Sequence, residues 1–248
     1  MKRITCAGMA ALSLLSACGG GGGGADSGTT SASGAAANYT FIPPKAGAHL
    51  VYMDKLVDNL NNSVNRFVTE DVTAVSANGS FSVHEEDPSH NTLVSGVTDQ
   101  TVYPTDFQYN AMSQPASWVV SRPAGSVSCA VTQGSAGAPS PLALGASWNA
   151  SWLETCGAGA GTAFTQTGTL AGIETVTVAA GTFKAYKFVA STTRTVGGIT
   201  RTETLTRWRD ASGGDTRTLK SESVFTYSGG TPPAGTPVSA SRELQSYR

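Results

Sequence analysis

The chain has 248 residues, with 16 lysines and arginines, 17 aspartates and glutamates, and a formal net charge of −1 at pH 7. Charged residues make up only 13% of it, about half the usual share, and no basic cluster with interleaved aromatic residues occurs. This composition argues against nucleic acid as a partner.

The first 17 residues have the features of an export signal. Lys2 and Arg3 precede a moderately apolar run that ends at Leu15 and is followed by small residues. The run is shorter than the about 20 apolar residues that a membrane-spanning helix needs. Residues 1–17 are therefore predicted to direct the chain out of the cytoplasm and to be removed.

Residues 15–18, Leu-Ser-Ala-Cys, resemble the lipobox of bacterial lipoproteins. The resemblance implies cleavage before Cys18 and acylation of its thiol and of the new amino group. An ordinary secretory peptide with an incidental cysteine is the alternative. Each buried methylene of an acyl chain contributes about 0.8 kcal/mol to membrane binding, so a protein that carries more than one acyl chain is anchored stably. We therefore expect the chain to be attached to a membrane through Cys18.

Residues 18–38 have the composition of a flexible linker, since six glycines follow the cysteine and mostly small residues come next. In lipoproteins of this kind an aspartate directly after the cysteine retains the protein at the inner membrane, whereas this chain has Gly19. The resemblance thus implies the outer membrane, with the domain facing the periplasm. Residues 39–248 are long enough to form a domain with a substantial core.

Residues 39–248 show apolar and polar alternation, with β-branched and aromatic residues and short turn sequences, and no sustained helical periodicity. The clearest strands cover residues 185–196, 199–210 and 216–227. Strands of ten or more residues exceed about 30 Å. We predict an all-β fold, a long-stranded antiparallel meander that forms a strongly curved sheet or an incomplete barrel; a β-sandwich is the alternative.

Two pairs of similar segments suggest two pseudo-repeated halves. Residues 46–52, AGAHLVY, resemble residues 144–150, LGASWNA. Residues 72–81, VTAVSANGSF, resemble residues 176–183, VTVAAGTF, if two residues are deleted from the turn. The alternative is that β-hairpins share composition.

Two histidines and three acidic residues lie within one stretch of seven: His84, Glu85, Glu86, Asp87 and His90. Imidazole and carboxylate groups bind divalent metals, but Pro88 prevents the helix that an H-E-x-x-H site requires. We therefore interpret the stretch as a solvated acidic loop and predict no metal and no other cofactor. His49 has no partner visible in the sequence and is expected to be structural.

Cys129 and Cys156 are the two cysteines of the predicted domain. Because an exported chain meets an oxidising compartment, we expect a disulfide between them, which stabilises by about 3 to 4 kcal/mol on the chain-entropy model. A catalytic or metal-binding cysteine is the alternative, but neither cysteine lies in a C-x-x-C motif or near a histidine.

Aromatic residues are the only indication of a ligand. Trp148 and Trp152 share one face of a predicted strand, and Phe183 and Trp208 lie on neighbouring β segments. These four residues are the candidate surface for an apolar molecule, as a concave binding site would require. The alternative is that they form the hydrophobic core.

Residues 172–188 resemble the motif E-x-V-x-V-P-A-G-x-F-x-A-x-K of a functionally uncharacterised class of bacterial envelope proteins, in which a strand with a tryptophan follows. The matching residues are Glu174, Val176, Val178, Gly181, Phe183, Ala185, Lys187 and Trp208, with Ala179 in place of the proline. The resemblance implies a structural hairpin and transfers no catalytic residue.

No set of catalytic residues is evident, since the chain has no G-x-S-x-G motif and only three histidines. We therefore expect that the protein is not an enzyme but a lipid-anchored envelope protein with a structural or interaction β domain. A carrier or sensor of an apolar ligand such as a lipid is the alternative, and a hydrolase is the least supported function. Apart from the membrane, the partner would be a protein or a lipid of unidentified kind.

Overall fold

The computed structural model describes residues 38–88 and 102–248 of the chain. The strands of these residues are β1 Asn38–Tyr39, β2 His49–Asp58, β3 Ser63–Val75, β4 Phe81–Glu86, β5 Thr105–Tyr109, β6 Pro115–Val120, β7 Val127–Gly134, β8 Leu142–Ala143, β9 Ser147–Cys156, β10 Thr162–Val178, β11 Gly181–Val196, β12 Ile199–Asp210, β13 Thr218–Ser228 and β14 Pro237–Tyr247. In this part of the chain no helix is long and apolar enough to cross a membrane. The predicted export signal, Cys18 and residues 19–37 of the predicted linker lie outside the described residues.

Twelve of the fourteen strands in the described residues form one closed antiparallel barrel. Strands β2 to β7 are neighbours in chain order, β9 to β14 follow, and β14 pairs with β2. Strands β1 and β8 lie outside this order and form a separate two-stranded ribbon. The predicted all-β, long-stranded antiparallel meander is confirmed. Its sheet curves far enough to close, which leaves no open edge of the kind that an incomplete barrel or a sandwich has.

The N-terminal segment crosses the interior of the barrel. Tyr39 packs edge-on against Phe188 of β11, with ring centres 4.8 Å apart, and Phe41 stacks on Phe81 of β4 at 5.7 Å. Strands β11 and β4 are six strands apart in either direction around the barrel, so they lie on opposite walls. The segment therefore joins the two walls and fills the space between them with aromatic rings.

The barrel consists of two six-stranded halves, β2–β7 and β9–β14, with matching backbone pairings. The Gly47 N–H donates to the Val72 carbonyl and the Val72 N–H to the Ala48 carbonyl; Gly145, Leu170 and Ala146 make the same two bonds in the second half. The similarity between residues 46–52 and 144–150 therefore has a structural basis.

The second sequence similarity is aligned differently by the structure. A β-bulge between Val72 and Ala74 in the first half corresponds to a bulge between Leu170 and Gly172 in the second. Val72 is thus equivalent to Leu170, and its predicted equivalence with Val176 is wrong. The reason is that the hairpin between β10 and β11 extends beyond the end of its shorter counterpart, so that two unrelated turns look alike in sequence.

The halves meet at two junctions, β7–β9 and β14–β2. At the first junction Cys129 is opposite Cys156 and forms the predicted disulfide. At the second, Arg242 occupies the position equivalent to Cys129 and is opposite Asp54. When the two halves are aligned by their strand pairings, Cys156 of β9 is equivalent to Asp58 of β2. Arg242 is opposite Asp54 instead, so the register of the second junction differs from that of the first by four residues.

Replacing both Cys129 and Cys156 with serine tests the first junction. We expect the free energy of unfolding to fall by about 3 to 4 kcal/mol, because the open chain gains conformational entropy. Denaturant titration measures the change, and the parent protein under reducing conditions is the matched control. Equal stability of the parent and the double variant would show that the disulfide does not hold this junction.

Candidate functional site

A charged side chain with three carboxylate partners faces the barrel interior at the β14–β2 junction. Arg242 binds Asp54 through two bonds, from Nε to Oδ1 at 2.7 Å and from Nη2 to Oδ2 at 2.8 Å. Its Nη1 donates to Glu70 at 2.6 Å and to Glu85 at 2.9 Å. One guanidinium group thereby connects strands β14, β2, β3 and β4.

The electrostatics of this cluster are set by burial and by mutual attraction. Burial raises the pKa of Glu70 to about 7, although Arg242 acts to lower it. Burial alone would lower the pKa of Arg242, but Asp54, Glu85 and Glu70 raise it well above its ordinary value. The Arg242 side chain is 22% exposed, so solvent reaches this part of the interior.

Sequence reasoning did not single out Arg242, Asp54 or Glu70. Alternate side chains of β2 face inward, and Asp54 occupies an inward position between the buried Tyr52 and Leu56. A charged residue at an inward position of a strand requires a partner, so the sequence pattern of β2 does indicate that Asp54 has one. The pattern does not indicate the identity of the partner, because Arg242 is 188 residues away in sequence.

A second charged cluster lies near the turn between β11 and β12. Arg194 and Arg201 are directly opposite each other on these strands. Arg201 donates from Nη2 to Oε2 of Glu203 at 2.8 Å, while Oε1 of Glu203 is buried without a hydrogen-bond partner. Burial raises the pKa of Glu203 to about 7, against the opposing effect of Arg201 and Arg194.

Aromatic rings surround this second cluster. The Arg201 guanidinium lies 4.9 Å from the ring centre of Phe225, and that of Arg194 lies 5.6 Å from the ring centre of Phe164. Phe164 stacks on Trp152 with ring centres 4.9 Å apart. Both guanidinium groups are therefore positioned by cation–π contacts.

The envelope-protein motif brings together three of its residues from three strands. Trp208 Nε1 donates to Glu174 Oε1 at 2.6 Å, and Lys187 Nζ donates to the same carboxylate at 3.1 Å. Lys187 Nζ also lies 5.5 Å from the Trp208 ring centre. Burial acts to raise the pKa of Glu174, but the hydrogen bonds from Trp208 and Lys187 lower it overall.

The tip of the motif hairpin docks on β14. Val178 pairs with Gly181, which leaves a two-residue turn, and Gly181 has φ of +137°, a backbone conformation that favours glycine. The Ala180 N–H donates to the Leu244 carbonyl and the Ala179 N–H to a Glu243 carboxylate oxygen, both at 3.2 Å. A proline at position 179 could not make the second bond.

The four predicted ligand-surface residues occupy two regions. Trp148 and Trp152 lie on one face of β9, where Trp148 donates from Nε1 to Gln166 at 3.1 Å. Phe183 lies 6.2 Å from the Tyr247 ring, and Trp208 belongs to the motif contact. Among the described residues no ring contact joins Trp148 or Trp152 to Phe183 or Trp208.

The predicted acidic loop is in part a strand. His84 faces outward on β4 and contacts Asp106 at 2.7 Å, whereas Glu85 points inward to Arg242, and Asp87 is also buried. The solvated-loop interpretation is therefore wrong for residues 84–86, because alternation on a strand divides these neighbours between two faces. His90 lies outside the described residues.

The described residues contain no group of three or more histidine, cysteine or acidic side chains with metal-binding geometry. His49, the remaining histidine, contacts Asp71 on the neighbouring strand at 2.7 Å. A surface depression of about 460 Å³ lies beside the disulfide and includes Trp118, Val119, Cys129 and Thr132. None of the four predicted ligand-surface residues lines it.

Replacing Arg242 with alanine tests the inward charged cluster. We expect a loss of about 3 kcal/mol in the free energy of unfolding at pH 8, because three carboxylates lose their shared cation in a mostly buried site. The loss should be smaller at pH 5. Glu70 has a raised folded-state pKa, so its protonated form favours folding below its unfolded pKa, and this contribution fades as the pH rises through about 7.

Chemical denaturation at both pH values measures this difference. Lys55→Ala, which removes an exposed cation from the outer face of β2, is the matched control and should change stability little. An equal loss at pH 5 and pH 8 for Arg242→Ala would contradict the electrostatic explanation.

No protein-family model matches the chain, and the comparison with curated protein sequences gives no match. Solved structures with a similar arrangement include a Bacteroides fragilis protein described as exported and as having a YmcC-like fold, with 11% identity and a TM-score of 0.49. The similarity covers 84% of this chain and 99% of that protein. A Parabacteroides distasonis protein described as a lipoprotein has 12% identity and a TM-score of 0.44, with coverage of 84% and 99%. The hypothetical lipoprotein YmcC from Escherichia coli has 12% identity and a TM-score of 0.39, with coverage of 79% and 83%.

Proposed function

We propose that the protein is a lipid-anchored envelope protein whose barrel is a non-catalytic interaction domain. It is held at the outer membrane through acyl chains on Cys18 and faces the periplasm. The barrel provides a rigid body at the end of a flexible linker, and it acts by binding and not by chemical conversion. The partner is a component of the envelope.

The observation that carries this proposal is that the inward aromatic side chains pack against one another. Tyr52, Leu170, Leu219 and Leu244 are at most 1% exposed, and the rings of Tyr39 and Phe41 fill the space between opposite walls. An apolar ligand would need a cavity where these side chains lie. The filled interior therefore favours an interaction domain over an apolar carrier.

The inward charged groups also support a structural use of the interior. Arg242 satisfies three carboxylates, so these groups are engaged with one another. A general acid or base needs a proton-transfer partner within hydrogen-bond reach, and in this cluster the guanidinium, which remains protonated, occupies that position. Binding, not acid–base chemistry, is the use that this arrangement supports.

Replacing Cys18 with serine tests the anchor. We expect the domain to leave the membrane fraction and become soluble, because the serine hydroxyl does not replace the thiol as acyl acceptor. Cell fractionation with immunoblotting measures the distribution. Gly19→Asp is the matched control for sorting and should move the protein to the inner membrane while keeping it lipidated. Unchanged membrane partition of Cys18→Ser would refute the anchor.

Mass spectrometry of extracts from natively purified Cys18→Ser protein tests the choice between interaction domain and apolar carrier. We expect no lipid at a stoichiometric amount, because the aromatic interior is occupied. A Trp148→Ala variant is the comparison, since the space that it opens would accept small apolar molecules. A stoichiometric lipid in the protein without that substitution would favour the carrier function instead.

A further inference from the structure

The cluster near the turn between β11 and β12 contains an unusual pair of like charges. Arg194 and Arg201 face each other directly on neighbouring strands, a position in which like charges destabilise a sheet. Both stack on buried rings, Phe164 and Phe225. The fold therefore holds two cations side by side on an apolar support.

The carboxylates of the described residues neutralise this pair only in part. Arg201 has one ion pair, with Glu203 at 2.8 Å, and Arg194 has no carboxylate within 4.0 Å in the part of the chain that the structure describes. The comparison with Arg242 is direct, since that single cation has three carboxylate partners within 2.9 Å. Glu154 attracts both arginines only at longer range, so Arg194 makes no direct ion pair within the described residues.

Two polar atoms of the cluster also lack partners. Nε of Arg201 and Oε1 of Glu203 are buried and make no hydrogen bond, and the Glu203 side chain is only 2% exposed. Buried polar groups are normally satisfied. Because burial raises the pKa of Glu203 to about 7, this carboxyl group is only partly ionised at pH 7 and neutralises Arg201 only in part.

The cluster is accessible from solvent and has an apolar surround. The Arg201 side chain is 23% exposed, and Trp152 and Tyr227 are half-buried. A guanidinium group stacked on a ring keeps its edge donors free, and these match the two oxygens of a carboxylate or phosphate. The rings beside it offer contact to an apolar group.

We propose that Arg194 and Arg201 bind an organic anion, a carboxylate or a phosphate attached to an apolar or aromatic group. Both arginines donate to the anionic oxygens, Trp152 contacts the apolar part, Phe164 supports Arg194 from beneath, and Glu203 orients Arg201. The site lies on the second half of the barrel, apart from the Arg242 cluster. It gives the interaction domain a defined ligand chemistry, and it does not depend on the membrane anchor.

Titration of the full chain in a non-ionic detergent at pH 7 with three probes tests the site. Phenyl phosphate carries both features of the ligand, inorganic phosphate has only the anion, and benzyl alcohol has only the ring. We expect one equivalent of phenyl phosphate to bind most tightly, inorganic phosphate to bind more weakly, and benzyl alcohol not to bind measurably. Isothermal calorimetry gives the affinity, and the Trp152 indole N–H resonance reports contact at the site.

Substitutions test whether the two arginines are responsible for the affinity for phenyl phosphate. Arg194→Gln removes a cation that has no ion pair, so the fold should remain intact, and we expect about a tenfold weaker affinity for phenyl phosphate. Arg201→Lys should weaken binding less, because it keeps the charge while losing the fork geometry. Glu203→Gln should strengthen binding severalfold, because it removes a competing negative charge. Lys55→Gln, on the outer face of β2, is the charge-matched control and should change nothing.

Several results would overturn the proposal. These are an unchanged affinity for phenyl phosphate in Arg194→Gln, weaker binding in Glu203→Gln, and benzyl alcohol binding as tightly as phenyl phosphate. Equal affinities for phenyl phosphate and inorganic phosphate would refute the apolar part of the site. A shift of the Trp208 indole resonance in place of that of Trp152 would locate the ligand elsewhere.

Discussion

Closure of the sheet depends on two strand pairings, β7–β9 and β14–β2, which join the two halves of the barrel. Each half repeats the same internal register, including its bulges, but the junctions differ by four residues. At the equivalent position of β7 and β14, one junction has a covalent bond, Cys129–Cys156, and the other has the two-bond ion pair Arg242–Asp54. A covalent bond at one junction and an ion pair at the other thus both link the two halves of the barrel.

The Arg242 junction differs from the disulfide because it also organises the interior. A disulfide joins two strands, whereas the guanidinium group reaches Glu70 on β3 and Glu85 on β4 as well. These carboxylates would repel one another without a shared cation. On β11 and β12 the arrangement is different, since two arginines have one close carboxylate, Glu203, and it pairs with Arg201 alone. The charge distribution inside the barrel is therefore asymmetric between its halves, although the backbone is nearly repeated.

The envelope-protein motif belongs to a different part of the molecule. Glu174, Lys187 and Trp208 connect β10, β11 and β12, and the hairpin tip docks on β14 through two backbone N–H groups. These contacts give Glu174, Lys187 and Trp208 a structural role in this chain. They are local contacts between neighbouring strands and a hairpin, and they do not include the residues of the proposed anion site.

The sequence by itself determined the all-β class, the meander of long strands and the pairing of two cysteines, because alternation, turn residues and cysteine number are local or countable properties. It also indicated that Trp148 and Trp152 share a face. Only the tertiary structure decided that the sheet closes, that Val72 is equivalent to Leu170, and that Glu85 faces Arg242 while His84 faces outward. The physical reason is register: Arg242 meets Asp54, 188 residues away, and Arg194 meets Arg201 because of where each strand begins to pair. Side-chain periodicity within a single strand carries no information about that alignment.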